Sequence, residues 1–247
     1  MNQTTHYGDT KKEPLRSPLA AWERAYIDRN VMKLPHWIRS WQLTLLTIPF
    51  AIGLIAFGRL AHDHRAWLIL SSALLAAQWW TDCMDGTLGR VRGEGLVRWG
   101  FYMDHFCDFL FMSAVFIGWA LMLDDPRSQF LLILIMLTYQ AMMVSSWLMY
   151  GATQKFKITY LGFGPTEIRL LCIVVNVLVM VFGFRIMAPS VLTLMLVFMT
   201  CVLAYIVVQS ERRLWNLDKT ELRNATLEAA ESRKKCEESG VSDIVPD

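Results

Sequence analysis

The chain has few charged residues, and it lacks them where a soluble protein would carry them. Only 19% of its residues are charged, against 54% that are hydrophobic. The charges are concentrated at the two ends and in a few short clusters, so long stretches in between have almost none. This distribution excludes an ordinary soluble core with a charged surface and is typical of a membrane protein.

Several common functional patterns are also absent from the sequence. The five cysteines show no paired ligand spacing, which argues against a zinc site or a disulfide framework. We find no internal repeat, no glycine-rich nucleotide-binding loop and no basic-aromatic patch for nucleic acid. The N-terminal 40 residues are polar and charged, so we expect no cleavable signal peptide and an uncleaved first span that directs insertion.

Long apolar runs, in contrast, are abundant. Six of them are long enough to cross a bilayer of about 30 Å, which takes roughly 20 helical residues. The sequence therefore predicts an all-α integral membrane protein with six transmembrane helices, at Gln42–Leu60, Ala66–Thr81, Gly100–Leu123, Gln129–Tyr150, Thr166–Ala188 and Pro189–Gln209.

The segment before the first span has a helical pattern of its own. Ser17-Pro18 predicts a helix start, and Trp22 and Tyr26 in the following turns are typical of an amphipathic helix at the membrane interface. We thus divide the chain into a cytoplasmic N-terminal segment (1–41), a six-helix catalytic domain (42–209) and a charged cytoplasmic tail (210–247).

The distribution of lysine and arginine predicts the orientation. Six spans place both termini on one side of the membrane. Nineteen basic residues fall in the two terminal segments and in the loops on that side, and four fall in the opposite loops. By the positive-inside rule both termini face the cytoplasm. We expect the inner or plasma membrane of a bacterium.

Four aspartates stand inside or beside the apolar runs. A carboxylate in hydrocarbon costs several kcal/mol and indicates a functional site by default. In helical geometry Asp82 and Asp85 share a face, and Asp104 and Asp108 share a face of the next span. The two helices are joined by a short loop and should be antiparallel neighbours. Their acidic faces therefore predict one cavity with up to four carboxylates near its cytoplasmic end.

Such a cluster needs cations, because four unpaired carboxylates repel one another and do not all stay ionised. Arg90 is one candidate, but it cannot balance four charges. Carboxylate clusters suit hard divalent ions such as Mg²⁺, Mn²⁺ or Ca²⁺. Gly86, Gly89 and Gly100 lie on the same faces, where glycine either allows close helix packing or lets a ligand approach the backbone. Together these features indicate a diphosphate site.

The acidic stretch resembles the signature of the CDP-alcohol phosphotransferase (CDP-alcohol phosphatidyltransferase) family. These are integral membrane enzymes with six transmembrane helices and an amphipathic N-terminal helix. The family usually has alanine at the position of Gly89, and the interval between Arg90 and Gly100 is one residue longer than usual. The residues that carry the resemblance are Asp82-x-x-Asp85-Gly86-x-x-Gly89-Arg90 and Gly100-x-x-x-Asp104-x-x-x-Asp108.

The resemblance implies an enzyme of phospholipid synthesis that transfers a substituted phosphate from a CDP-linked alcohol to an acceptor hydroxyl and releases CMP. Asp82, Asp85, Asp104 and Asp108 would bind one or two Mg²⁺ or Mn²⁺ ions, and Asp108 would be the general base. The donor is either CDP-diacylglycerol or a CDP-aminoalcohol. By analogy with the family, the chain would form a homodimer. The CDP group would be held by Asp82, Gly86, Gly89, Arg90 and Gly100.

A second segment bears on the acceptor. The stretch Gly164–Arg169 predicts a helix start, because a proline follows Gly164 directly and Glu167 stands three residues after Gly164. The same segment resembles one in the aminoalcohol phosphotransferases, where diacylglycerol accepts a phosphoaminoalcohol. That resemblance implies that Glu167 contacts a cationic headgroup and Arg169 a phosphate. The Trp79-Trp80 pair is read as an interfacial anchor in preference to a choline-binding cage.

A divalent-cation or proton transporter is the alternative function, because intramembrane acids also line ion paths. A transporter predicts acids scattered over several spans and facing both leaflets. Here the remaining spans contain few ionisable residues, and the acids cluster at one end. This pattern favours an enzyme site that a nucleotide can reach.

Overall fold

The structure, a computed structural model, describes residues 20–153 and 164–238, and the described residues contain no β-strand. The all-α prediction is therefore confirmed. The chain forms two compact units, residues 1–203 and 204–247. The predicted helix start at Ser17-Pro18 lies outside the described residues.

Eight α-helices are present in the described ranges, and short 3-10 helices at Val31–Lys33, Arg65–Trp67 and Phe184–Met187 lie between some of them. In chain order the α-helices are α1 (Ala20–Asn30), α2 (Ser40–Leu45), α3 (Thr47–Ala61), α4 (Leu68–Val91), α5 (Val97–Leu121), α6 (Pro126–Thr153), α7 (Pro165–Phe182) and α8 (Pro189–Glu238).

Five helical segments are long and apolar enough to cross a membrane. They correspond to the predicted first, third, fourth, fifth and sixth spans. The predicted second span lies in α4, which has 24 residues but is less apolar, because Gln78, Asp82, Asp85 and Arg90 stand in its second half. Apolarity alone thus identifies five spans among the described helices: Ser40–Ala61, Val97–Leu121, Pro126–Thr153, Pro165–Phe182 and Pro189–Lys235.

Proline begins three of these helices. Its fixed φ suits the first position of a helix, and its missing N–H is not needed there. Pro126, Pro165 and Pro189 are the first residues of α6, α7 and α8. Before α6, the carboxylate of Asp125 accepts hydrogen bonds from the backbone N (3.0 Å) and the Oγ (2.8 Å) of Ser128. These bonds hold the pKa of Asp125 below its ordinary value.

Two sets of contacts in the first unit tie α3 to α5 and connect α5, α7 and α4 through buried polar side chains. α3 and α5 cross at Gly58 and Gly118, where a Cβ on Gly58 would lie 2.4 Å from the Cα of Gly118. Only glycine allows backbones to approach so closely. Nearby, Trp119 Nε1 of α5 donates to Asn176 Oδ1 of α7 at 2.8 Å, and Asn176 Nδ2 donates to Ser72 Oγ of α4 at 3.1 Å.

A second apolar cluster joins α1 and α2 to α4. Met84 and Leu88, one turn apart on α4, pack with Ile27 of α1, with Val31 just after it and with Leu43 of α2. Met84 and Leu88 lie about 160° and 120° around α4 from Asp82, because each residue advances the helix by about 100°. The side of α4 that carries Asp82 is thereby left to other helices, whereas Asp85 lies nearer to α2.

Candidate active site

Three of the four predicted acids meet between α4 and α5. Carboxylate oxygens of Asp82, Asp104 and Asp108 lie within 4.8 Å of one another, and all three side chains are partly buried. Asp82 comes from α4, and the other two stand one turn apart on α5. Helical spacing puts Asp104 and Asp108 on one face of α5. The sequence predicted α4 and α5 as direct neighbours, but the two helices make little direct contact, and α3 packs against both. The carboxylates of the two helices meet across the space between them.

The fourth acid, Asp85, is turned toward the first span. Its Oδ2 accepts a hydrogen bond from Thr44 Oγ1, and its Oδ1 accepts one from the backbone N of Gly86. Asp85 is 6% exposed and does not belong to the group of three close carboxylates. Sequence reasoning did not identify Thr44, which lies near the start of the first span, as the partner of Asp85.

The cation that lies against the acids is Arg169 of α7. Its Nη2 is 3.0 Å from Asp82 Oδ2 and 2.7 Å from Asp108 Oδ1, and the residue is 4% exposed. One guanidinium nitrogen thus bridges a carboxylate of α4 and a carboxylate of α5. The sequence suggested a phosphate as the partner of this arginine.

Arg90, which the sequence suggested as a cation for the cluster, lies elsewhere. It is exposed, and its Nη2 donates to Thr87 Oγ1 at 2.9 Å, one turn back on α4. Its Nη1 would be 3.6 Å from a Cβ placed on Gly86. Arg90 and Gly86 are therefore neighbours on an open part of the helix, where an anionic ligand has access to both.

Gln78 is a site residue that sequence reasoning missed. It is 1% exposed, and its Nε2 donates to Asp108 Oδ1 at 3.3 Å. Its Oε1 is buried without a hydrogen-bond partner among the described residues. Gln78 stands four residues before Asp82, so helical spacing places it on the acidic face and could have identified it.

The three glycines of the site differ in their surroundings. A Cβ on Gly100 would meet no described atom within 4 Å, whereas a Cβ on Gly89 would lie 3.3 Å from the Cβ and Oγ of Ser40. Gly89 thus leaves room for the start of α2. This agrees with the interpretation that the glycine allows close helix packing, and not with the one in which it lets a ligand approach the backbone. Gly100 and Gly86 leave the helix surface open for a ligand, apart from the Arg90 side chain.

The loop between α4 and α5 is fastened to the start of the first span and to the segment that precedes it. Glu94 Oε2 accepts hydrogen bonds from the Oγ (2.6 Å) and the backbone N (3.1 Å) of Ser40. Gly93 and Gly95 on either side have φ of 63° and 71°, a region that glycine enters readily. Arg92 donates to the backbone oxygens of Leu34, Pro35 and Ile38.

The N-terminal helix reaches the same region. On α1, Glu23 Oε2 accepts a hydrogen bond from Thr166 Oγ1 at 2.6 Å, and Glu23 Oε1 accepts one from Cys83 Sγ at 3.2 Å. Trp79 stacks on Trp22 of α1 with ring centroids 6.0 Å apart. α1 therefore connects the start of α7 to the part of α4 that carries Asp82.

Glu167, suggested as a headgroup contact, lies in the first turn of α7. Its Oε2 accepts a hydrogen bond from the backbone N of Gly164 at 2.9 Å. This bond stabilises the helix start that the glycine-proline pair predicts. Arg169 stands two residues after Glu167 on the same helix.

The cluster has the donor set and the size for a divalent ion. Mg²⁺ binds oxygen ligands at about 2.1 Å, so ligands on opposite sides of the ion are about 4.2 Å apart. The oxygens of Asp82, Asp104 and Asp108 lie at most 4.8 Å apart, and all of them are carboxylate oxygens, which hard divalent ions prefer. Asp82, Asp104 and Asp108 therefore fit Mg²⁺ or Mn²⁺. Asp85 stands nearby, one turn after Asp82 on α4.

Comparison with known proteins bears on the same region. The family model described as CDP-alcohol phosphatidyltransferase matches residues 32–206. The matched range contains Gln78, the four aspartates and Arg169. Among curated proteins, none gives a significant match to the chain.

Proposed function

The chain belongs to the CDP-alcohol phosphatidyltransferase family, whose members transfer a phosphoalcohol from a CDP-alcohol in lipid synthesis, and we propose a specific reaction and site for it. The donor is CDP-diacylglycerol or a CDP-aminoalcohol. The acceptor is the hydroxyl of a small alcohol or of a lipid, and CMP is the second product. The observation that carries this proposal is the convergence of Asp82, Asp104 and Asp108 within 4.8 Å between α4 and α5.

Metal binding falls to the aspartates. Asp82, Asp104 and Asp108 would hold one or two Mg²⁺ or Mn²⁺ ions, and Asp85 would complete the set from the next turn of α4. A bound divalent ion would neutralise charge on the phosphoryl oxygens and on the departing CMP. The carboxylate donors of Asp82, Asp104 and Asp108 and the distances between them support the assignment of these three residues.

The donor would lie along the open face of α4. Gly86 and Gly100 present backbone without a side chain, and Arg90 is exposed beside Gly86. An arginine can bond a phosphate with two N–H groups. The CDP group would thus contact Asp82, Gly86, Gly89, Arg90 and Gly100, with Gly89 at the edge where α2 begins.

Asp108 would act on the acceptor. Its carboxylate takes the proton of the acceptor hydroxyl while the acceptor oxygen forms a bond to the phosphorus that carries the alcohol. The phosphorus–oxygen bond to CMP breaks, and CMP leaves with the electron pair. The site contributes positioning and electrostatic stabilisation, and no covalent enzyme intermediate is required. At the start of α7, Glu167 remains our suggestion for a contact to a cationic headgroup.

The chain is an integral multi-pass membrane protein, as its apolar helices and its family indicate. We extend this to six spans with α4 as the second, α1 as an interfacial amphipathic helix, and a homodimer. Both termini and the site would face the cytoplasm of a bacterium, where CDP compounds are found. The excess of basic residues in the terminal segments and in the loops on their side supports this orientation.

A CMP-release assay on the purified protein tests the reaction. CDP-diacylglycerol with small alcohols, and CDP-choline or CDP-ethanolamine with diacylglycerol, are compared in Mg²⁺, Mn²⁺ and EDTA. We expect one donor class to release CMP only with a divalent ion. Asp108→Asn should lower turnover by about 10²- to 10⁴-fold, the usual contribution of a general base. Asp218→Asn, a change at an exposed acid of α8, should have no effect.

The outcomes separate the parts of the proposal. Full turnover in Asp108→Asn would overturn the role of Asp108 as general base. An absence of CMP release with every donor would overturn the transferase function. Cation flux in proteoliposomes without CMP release would favour the transporter alternative.

A further inference from the structure

The carboxylate of Asp108 receives two side-chain hydrogen bonds, and both end on the same oxygen. Arg169 Nη2 donates to Asp108 Oδ1 at 2.7 Å, and Gln78 Nε2 donates to the same Oδ1 at 3.3 Å. Within the described part of the chain, no hydrogen bond reaches Asp108 Oδ2. The two oxygens of this carboxylate therefore have different surroundings.

The two donors come from two different helices. Gln78 stands on α4 and Arg169 on α7, while Asp108 belongs to α5. A single donor would fix only the distance to one oxygen, because the carboxylate could still turn about its bond to Cβ. Two donors anchored on separate helices restrict that rotation as well. The tie between Arg169 and Asp82 Oδ2, at 3.0 Å, fixes the guanidinium in turn.

Burial shows that these contacts are not incidental surface bonds. Arg169 is 4% exposed and Gln78 is 1% exposed. A buried charge requires a partner, and the partners of Arg169 are two carboxylates of the site. Gln78 gives its N–H to Asp108 while its own Oε1 lies buried with no partner among the described residues. An apolar side chain of similar volume would fill the same space and leave no buried oxygen unpaired. Packing alone therefore does not explain a glutamine at this position.

We propose that Gln78 and Arg169 are positioning residues for Asp108. They hold Oδ1 and leave Oδ2 as the oxygen that receives the proton of the acceptor hydroxyl. This inference rests on the proposed function of Asp108 as general base. It also gives Arg169 a role different from the phosphate contact suggested by the sequence.

The first test is Gln78→Met, which keeps volume and removes the N–H donor. Partners that orient a metal ligand or reacting group typically contribute about 10- to 100-fold to activity. We expect kcat to fall by that factor while the KM for the CDP donor stays unchanged. The matched control is Gln140→Met, because Gln140 is also buried and has an unpaired Oε1 but bonds Phe109 O and Ser113 Oγ. The control should keep wild-type kcat.

The second test is the pair Arg169→Gln and Arg169→Lys, with Mn²⁺ binding measured by electron paramagnetic resonance in the absence of substrate. Arg169→Gln removes a positive charge beside the carboxylates, so Mn²⁺ should bind at least as tightly as in wild type. Its kcat should nevertheless fall by about 10- to 100-fold. Arg169→Lys keeps the charge and should recover part of kcat.

Two results would overturn the inference. One is wild-type kcat in both Gln78→Met and Arg169→Gln. The other is a parallel loss of kcat, Mn²⁺ binding and thermal stability, which would indicate a structural role only. Failure of the proposed function has a different signature, because wild-type protein would then release no CMP from any donor.

Discussion

Gly89, one of the two departures that the resemblance to the family implies, packs against the start of α2. A Cβ on Gly89 would lie 3.3 Å from both the Cβ and the Oγ of Ser40. Ser40 is not free to move away, because its N and Oγ both donate to Glu94 Oε2. Gly89→Ala should therefore destabilise this protein, although the resemblance described above implies alanine at that position in the family.

Two opposing effects set the magnitude. Alanine is favoured over glycine in a helix by about 1 kcal/mol. An extra methyl group that presses on a fixed neighbour costs roughly 1–3 kcal/mol. Since hydrogen bonds hold Ser40, the strain should exceed the helix preference, and we expect a net loss of about 1 kcal/mol. That loss lowers the unfolding midpoint by about 2–4 °C in a chain of this size.

Gly100→Ala is the matched control. Gly100 is also a helical glycine of the site, yet a Cβ placed on it would meet no described atom within 4 Å. Alanine should raise the midpoint there, because only the helix preference acts. Ser40→Gly removes both atoms that a Cβ on Gly89 would contact, so Gly89→Ala should become stabilising in that background. The measurement is thermal unfolding in detergent micelles, with no ligand, for the single and double variants.

Two results would contradict this explanation. One is a midpoint that rises as much in Gly89→Ala as in Gly100→Ala. The other is strict additivity of Gly89→Ala and Ser40→Gly, since residues in contact should show coupling. If coupling is found, the two departures from the family are linked, because Glu94 lies in the longer interval between Arg90 and Gly100 and holds the serine against Gly89.

Two further predictions concern the helix crossing and the topology. Gly58→Ala and Gly118→Ala would place a Cβ 2.4 Å and 2.7 Å from the opposite backbone, so both should fail to give a monodisperse peak in size-exclusion chromatography. Gly53→Ala, whose Cβ would press only on the end of a leucine side chain, should behave as wild type, and normal peaks for all three would refute the close crossing. A reporter fused after Asp247 should be cytoplasmic, and an external signal would overturn the proposed orientation.

The fold class could be predicted from the sequence because its signals are local. An apolar run of about 20 residues needs no knowledge of its neighbours to indicate a helix across a bilayer. The count of spans was less certain for the same reason. α4 carries polar residues of the site, which lower its apolarity below that of the five candidate spans, so its role as a sixth span is a proposal.

Part of the site was also accessible from the sequence. Helical spacing places Asp104 and Asp108 on one face and Asp82 on a face of the neighbouring helix. The same spacing contains Gln78, which was overlooked because a glutamine carries no charge to draw attention to it. The direction of Asp85 toward Thr44 could not be read from spacing, since on one helix it shares the face of Asp82.

By itself, the sequence determined an all-helical chain with apolar spans and a set of acids at helical intervals, because each of these follows from residues within a few turns of one another. Only the tertiary structure decided that Arg169, far along the chain, is the cation that ties Asp82 to Asp108, and that Ser40 meets Gly89. The reason is physical. Helices in a membrane associate through close packing and polar contacts, and the apolar faces of the spans are too alike to specify which neighbours meet.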